Sequence, residues 1–411
     1  MRVLFLLPSL PLPPTDGGKI RVLNLLLQTA KAHAASVIAL ETEPTDGDEV
    51  HTLRRQGIAA TLVRGRSPKV PSLTLSSLGR AVVGGLPLSA AKYQMSAFRR
   101  AVAAEMAQGP YDLVHIEMMH LGPYLADVRR WTVAPVLLST QNVDSDVWRR
   151  AAPYQPTPWR RWLFRWQAEV FERTERRLGP RFDGVTAASE RDAAQYRNML
   201  PGVPVEVVDN GVDLAAYVTT PDAEDPDTFV YTGSYDWLPN ADAVIYFCAH
   251  IWPLVRKTLP DARFYAVGKE PTRGMLAYHG RDGVTVTGRV ADVRPYIARA
   301  SVYVVPLRIG GGSRLKILEA MAMGKCVLTT TIGMEGLDVE AGRDLCVSDA
   351  PEDFADAAAT LAGDPERRKM YGAAARRRVE ERYGWERIGA RMNAFYERLV
   401  RESPRNRSPY I

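Results

Sequence analysis

The chain has 411 residues, of which 46% are hydrophobic and 24% charged, and carries a net charge of +6. That length exceeds one ordinary core and predicts about two or three folding units, while the mixed composition can bury a substantial core without long disordered stretches and reads as globular. The positive excess draws phosphate-bearing partners in general, but no zinc-finger, RNP-like or basic-zipper pattern points to nucleic acid, which is not expected as a partner.

The chain opens on Val3-Leu4-Phe5-Leu6-Leu7, preceded only by Arg2, broken by Pro8 and lacking a small-residue cleavage site. It therefore reads as a buried parallel strand rather than a secretory leader. Further strands are predicted at Ala35–Leu40, Leu113–Ile116, Val136–Ser139, Gly184–Ala187 and Val205–Val208. Helices are predicted at Ile20–His33, Ala90–Gln108 and Trp159–Arg177, where apolar residues recur at spacings of three and four. The polar, proline-bearing stretch Thr219–Asp227 is the expected linker.

A second alternating series follows, with strands at Thr228–Thr232, Arg263–Val267, Val284–Thr287, Val302–Pro306, Val327–Thr330 and Leu345–Val347. Its helices are expected at Ala241–Lys257, Val293–Ala300, Leu315–Met323 and Pro351–Leu361. The pattern predicts an α/β fold of two doubly wound, Rossmann-like domains at residues 1–218 and 228–384, with a helix in 385–411 returning to the first. Such sheets bind ligands at their strand carboxyl ends, so the site is expected in a cleft that both domains face. The cysteines Cys248, Cys326 and Cys346 lack CxxC spacing and support neither a disulfide framework nor structural zinc. No run reaches the roughly 20 apolar residues that span a bilayer, and a cytoplasmic protein, soluble or peripheral, is expected.

Two glycine-bearing helix starts carry the chemistry. Asp16-Gly17-Gly18-Lys19-Ile20-Arg21 follows the opening strand, where paired glycines allow close backbone approach and helix-start amides suit an anion. It is not GxGxxG, and no GxxxxGK[ST] occurs, so dinucleotide and P-loop chemistry lose support. The stronger signal is the run from Gly310 through Gly311, Gly312, Ser313, Arg314 and Lys316 to Glu319. A glycine loop feeding a helix N-terminus can hold a diphosphate while Arg314 or Lys316 neutralises it. Glu319, further along that helix, could accept two ribose hydroxyls or be a solvated helix charge.

These residues, in their order, resemble the donor-site signature of the family-4 glycosyltransferases, which have the GT-B fold. The resemblance covers nearly the whole chain and includes Gly17-Gly18, Ser189-Glu190, Asn210-Gly211-Val212-Asp213, Gly233-Ser234 and Trp237-Leu238-Pro239-Asn240. It continues through Val267-Gly268, Thr287-Gly288-Arg289, Gly333-Met334-Glu335-Gly336-Leu337 and Tyr383-Gly384-Trp385. Within the family, the chain is most similar to bacterial sugar transferases of exopolysaccharide loci. The resemblance implies a UDP- or GDP-sugar donor on the second domain, a saccharide or lipid-linked acceptor on the first, and retention of anomeric configuration. It also implies neither metal nor cofactor, and a donor ribose contacted by Glu319. Gly233, Ser234 and Arg289 join the donor-side residues on the same basis. One departure stands out: the family form has two glutamates separated by seven residues, and the position eight before Glu319 is Gly311. An epimerase or hydrolase of the same fold, or a non-catalytic sugar-nucleotide-binding protein, are the rival readings.

On the acceptor side, Asp112-Leu113-Val114-His115-Ile116-Glu117 closes a strand and precedes His120. A carboxylate or imidazole there could orient or deprotonate an acceptor hydroxyl, so Glu117 and His120 are the catalytic candidates. Gln141-Asn142 resembles a family His-Asn pair, and Gly17, Gly18, Arg21 and Asn142 are assigned to the acceptor and phosphate loop. Finally, Trp159, Trp162, Leu163, Trp166 and Val170 fall on one helical stripe, with Arg160, Arg161 and Arg165 outside it. That arrangement suits either core packing or an anionic surface on the inner membrane leaflet.

Overall fold

The computed structural model describes residues 1–41, 47–64, 81, 84–220, 223–310 and 314–403. It divides into two compact units, one of Met1–Asp209 with Ile388–Ile411 and one of Asn210–Arg387. The junction thus precedes the proline-bearing stretch, because Val212 bridges to Gly384 in the second unit and its amide donates to the Tyr383 carbonyl at 2.8 Å.

The first unit is built on a parallel sheet of seven strands: β1 (Arg2–Leu7), β2 (Ala34–Leu40), β3 (Ala59–Val63), β4 (Leu113–Glu117), β5 (Val136–Ser139), β6 (Gly184–Ala187) and β7 (Val205–Val207). Its order is β3-β2-β1-β4-β5-β6-β7. The Val3–Leu7 run is fully buried in β1 at the centre of this sheet, as expected of a strand covered on both faces. β3 has no counterpart in the sequence expectations. The predicted helix Ala90–Gln108 is two helices, Leu88–Lys92 and Ser96–Met106. The break follows from the Tyr124 hydroxyl, which donates to the Tyr93 carbonyl at 2.6 Å and accepts from the Met95 amide at 2.8 Å.

The second unit has six parallel strands: β8 (Thr228–Thr232), β9 (Arg263–Val267), β10 (Val284–Gly288), β11 (Val302–Val305), β12 (Val327–Thr329) and β13 (Cys346–Val347), in the order β10-β9-β8-β11-β12-β13. The helical stretch predicted over Ala241–Lys257 begins at Leu238 and passes through one π segment, Phe247–Ile251, before resuming at Trp252. Pro253, which has no amide hydrogen for the ladder, stands just after that segment. A long helix, Pro365–Arg382, has no counterpart in the sequence expectations. Its Gly372 lies so close to the Gly324 carbonyl oxygen that a Cβ would come within 2.0 Å of it, and Arg376 donates to the Ala322 carbonyl. Together these contacts fasten the C-terminal end of the helix Leu315–Ala322.

The helix Trp385–Glu402 carries the chain back into the first unit. There Arg391 and Arg398 each pair with Glu206 at 3.0 Å, and Gly389 admits the Gln28 side chain, which a Cβ would meet at 2.3 Å.

In both sheets the strand order reverses, between β1 and β4 in the first and between β8 and β11 in the second. Ligands of open parallel sheets sit beyond the strand carboxyl ends at such switch points. The residues that follow β1, β4, β8 and β11 therefore stand where a ligand of either sheet would sit.

Candidate functional site

In the second unit, β8 ends at Thr232 and turns through Gly233. The Gly233 amide donates to the Val267 carbonyl at 3.0 Å, and the neighbouring Gly268, at φ +147°, lies against it so closely that a Cβ would stand 1.7 Å from the Gly233 oxygen. Only glycine fits at Gly268, where both the positive φ and the close backbone approach exclude a side chain. The turn then presents Gly233 to Lys316, whose Nζ would be 3.0 Å from a Cβ placed on Gly233.

Lys316 lies in the first turn of Leu315–Ala322 after the β11 loop. Its amine donates to Tyr231 Oη at 2.6 Å and Asn240 Oδ1 at 2.7 Å, and it stands 4.0 Å from the centre of the Tyr231 ring. Burial pushes the Lys316 ammonium well below its ordinary range, with the Arg314 charge acting in the same direction. Arg314 is itself buried and donates to the Ile332 carbonyl at 3.3 Å; a Cβ on Gly310 would lie 1.8 Å from its Nη2. Two cations drawn out of water beside a glycine turn form an electrostatic arrangement that an anion would relieve.

Glu319 follows Lys316 by three residues, so both project from one face of the helix. It is 8% exposed, and Oε1 accepts from the Tyr217 hydroxyl at 3.0 Å. Burial pushes its carboxyl up to about 7, against the opposing pull of the Tyr217 hydrogen bond and the Lys316 charge. The solvated-charge alternative for Glu319 is thereby set aside.

Other donor-side candidates fall out differently. The Ser234 hydroxyl donates to Asp236 at 2.5 Å while its carbonyl accepts from Asn240 at 2.8 Å, and Arg289 is exposed beyond the end of β10. Gly311, Gly312 and Ser313 lie outside the described residues. Tyr217, Tyr231 and Asn240 carry no local sequence signal of a site, since each meets the helix from a distant part of the chain.

In the first unit, Gly18, Glu117 and Gln141 come together at the carboxyl ends of β1, β4 and β5. Glu117 is 1% exposed, with Oε2 3.0 Å from His115 Nε2 and Oε1 accepting from Gln141 at 2.9 Å. Although burial alone would raise its carboxyl, bonds from His115 and Gln141 and the charges of His115 and Arg21 hold it below the usual range. Tyr396 closes the chain of bonds on His115 Nδ1 at 2.7 Å. Both Glu117 oxygens are thus engaged, and the group acts first as an anchor for Gln141. Gln141 in turn lies 2.9 Å from where a Cβ on Gly18 would be. Directly after Glu117, Met118 adopts φ 67°, a backbone strain of the kind that clusters at functional sites.

Three loop assignments change in character. The helix that starts at Gly17 is capped by Asp16, whose carboxylate accepts from the Lys19 amide at 3.0 Å, so a negative charge already occupies that N-terminus. Arg21 is 1% exposed and donates to the Val208 and Asp209 carbonyls at 2.6 and 2.8 Å, a structural tie rather than a loop cation. The half-buried Asn142 offers its carbonyl to Tyr196 Oη at 3.3 Å. His120 packs edge-on against Tyr93 and Phe171, and burial lowers it to about 4, so it is a weak base at neutral pH. Nearby, burial pushes Asp144 up to about 7 and Glu175 up to about 8, with Asp144 adding to the latter.

The tryptophan helix runs Pro158–Leu178. Its predicted stripe is divided: Val170 is buried in the core, whereas Trp159 and Trp162 are 60% and 65% exposed beside exposed Arg160, Arg161 and Arg165. The Trp162 and Trp166 rings stack at 6.2 Å, and the Arg160 guanidinium stands 5.4 Å from the Trp159 ring centre. Among the described residues no helix is long and apolar enough to cross a membrane.

Comparison with known proteins follows the same division. Residues 15–216 match the family model described as Glycosyltransferase Family 4, and residues 226–364 match that described as Glycosyl transferases group 1. A curated relative from Corynebacterium glutamicum, a GDP-mannose-dependent monoacylated alpha-(1-6)-phosphatidylinositol monomannoside mannosyltransferase, is 26% identical over 242 residues. That match covers 53% of this chain and 62% of the relative, less than two thirds of its length. Among solved structures, a sucrose-phosphate synthase from Thermosynechococcus elongatus superposes with a TM-score of 0.74 at 18% identity, covering 97% of this chain and 99% of that one. HepE from Anabaena in complex with UDP-glucose gives 0.68 at 16% identity, with coverage of 97% and 100%. The two matched segments and the two doubly wound sheets together show that the chain belongs to glycosyltransferase family 4 and has the GT-B fold.

Proposed function

We propose that the chain transfers a glycosyl group from a UDP- or GDP-sugar to an acceptor hydroxyl, with retention, in the assembly of an exopolysaccharide or glycolipid. The observation that carries this reading is the placement of Lys316 against the Gly233 turn at the β8/β11 switch point, with Glu319 on the same helix face. A diphosphate at that turn would meet Lys316 and Arg314, and a ribose farther along the helix would meet Glu319. Charge that develops on the departing diphosphate is then stabilised by groups already in place, the most productive use of fixed charge in catalysis. No enzyme nucleophile is invoked. The acceptor is assigned to the first unit, at the ends of β4 and β5 where Glu117, Gln141 and Asn142 gather. A donor panel of UDP, GDP and their sugars, read by calorimetry, tests the reading: at least one nucleoside diphosphate binds, and failure of the whole panel overturns it.

The diphosphate charge is met by side-chain cations in this proposal, so transfer is expected to need no metal. Activity should be unchanged in excess EDTA; loss on chelation that added Mg²⁺ or Mn²⁺ restores would contradict it.

The same reading favours a lipid-linked acceptor, and the exposed tryptophans and arginines of Pro158–Leu178 are proposed to rest on an anionic bilayer. Basic side chains at such a surface contribute about 1 kcal/mol each. Wild-type protein is expected to sediment with phosphatidylglycerol liposomes at low salt, and Arg160→Glu/Arg161→Glu/Arg165→Glu to remain in solution. Equal sedimentation of both proteins would remove this helix as the docking surface.

A further inference from the structure

Glu319 is held by a residue that lies 102 positions away in the sequence, Tyr217. The backbone around Tyr217 is fixed from three directions. Its amide donates to the Asp213 carbonyl at 2.9 Å, its carbonyl accepts from Arg376 Nη1 at 2.7 Å, and the preceding Ala216 carbonyl accepts from Arg294 Nη1 at 3.0 Å. The phenol is mostly buried, and burial together with the Glu319 charge pushes its own ionisation far up, so it stays a neutral donor. Its hydroxyl bonds to Oε1 alone, and among the described residues Oε2 accepts no hydrogen bond.

We infer that Tyr217 is a positioning residue of the donor site: by donating to Oε1 it fixes the Glu319 carboxylate so that Oε2 is available to the ribose hydroxyls of a nucleoside diphosphate. The inference rests on the proposed donor site and adds to it the group that sets its ribose selectivity. A long acidic side chain left to itself samples several rotamers, and ordering it before the ligand arrives removes part of the entropic cost of binding. The hydrogen bond also favours the ionised form of a carboxyl that burial disfavours. The groups that bear on its charge are Lys316 on the same helix, Arg314 acting on Lys316, Tyr217 from the segment after β7, and Tyr303 from β11.

The test compares wild type, Tyr217→Phe and Glu319→Gln in calorimetric binding of UDP and GDP, and of their 2′-deoxy and 3′-deoxy forms, from pH 6 to 9. Tyr217→Phe keeps the ring and its packing, and its melting temperature is measured alongside. Loss of one hydrogen bond to a charged group predicts affinity lower on the order of tenfold at pH 7. The rising limb of affinity with pH should move to higher pH, because the bond that favoured the carboxylate is gone, and the preference for ribose over deoxyribose should shrink. Wild-type affinity in Tyr217→Phe overturns the inference. So does a weaker affinity with unchanged pH profile and unchanged ribose preference, which is what a packing role alone would give. If Glu319→Gln also binds as wild type does, or wild type binds neither nucleotide, the donor-site reading itself has failed and this inference with it.

Discussion

Glu319→Gln is expected to weaken nucleoside diphosphate binding on the order of a hundredfold while the fold is kept, since the amide oxygen still accepts but each of two hydrogen bonds falls from the charged range of about 1.5–3 kcal/mol to the neutral range of about 0.5–1.5 kcal/mol. The stability side has the opposite sign. Burial raises the Glu319 carboxyl to about 7 in the folded chain. Its contribution to stability is therefore present below the ordinary carboxyl value and lost as pH rises through about 7. An amide at this position carries no such titration, so the Glu319→Gln melting temperature should match or exceed that of wild type at pH 8. A variant that binds weakly and melts no lower than wild type separates a ligand contact from a structural one; unchanged donor affinity would take Glu319 out of the site.

Lys316→Met should have a comparable or larger effect, placed on the chemical step. The side chain keeps its length and apolar stem but loses the charge beside the Gly233 turn. Removing one preorganised donor to developing charge commonly costs a factor of about 10²–10³ in kcat. Because burial already disfavours the ammonium, its removal relieves a desolvated charge, and stability is expected to hold. Tyr231 and Asn240 each lose a partner in this variant. Tyr231→Phe, which removes one of those hydrogen bonds and leaves the cation, is the matching control and should show a much smaller loss of kcat. Equal losses in the two variants would assign Lys316 to packing rather than to the diphosphate.

The fold was legible where a strand is buried on both faces. Val3–Leu7, Val136–Leu138 and Val302–Val305 are unbroken apolar runs, and each lies in an interior strand. Ala59–Val63 was missed because it is an edge strand with only Ala60 and Val63 buried, which leaves a faint pattern. The helix Pro365–Arg382 hides its period among arginines, yet Arg368, Tyr371, Gly372, Ala375 and Val379 are its buried residues, at spacings of one, three and four. A helix break made by the Tyr124 hydroxyl cannot be read locally, since the hydroxyl comes from 29 and 31 residues away.

The site divides along the same line. Arg314, Lys316 and Glu319 are legible because a glycine run feeding a basic helix start is a local signal, whereas Gly233 follows only from the family resemblance. What makes them a site is not local: Tyr231 and Asn240 reach Lys316 across 85 and 76 residues, and Tyr217 reaches Glu319 across 102. On the acceptor side, sequence position marked Glu117 and His120 but could not show that one is bound at both oxygens and the other packed between aromatic rings.

Sugar transfer from a nucleotide donor is measured most directly by product analysis after incubation with UDP- and GDP-sugars and a pool of lipid-linked acceptors. The expected product is a glycosylated acceptor with the anomeric configuration of the donor, formed in step with nucleoside diphosphate release and abolished in Lys316→Met. Nucleoside diphosphate released at the same rate without acceptor, or an isomerised donor with no glycosylated product, would contradict it.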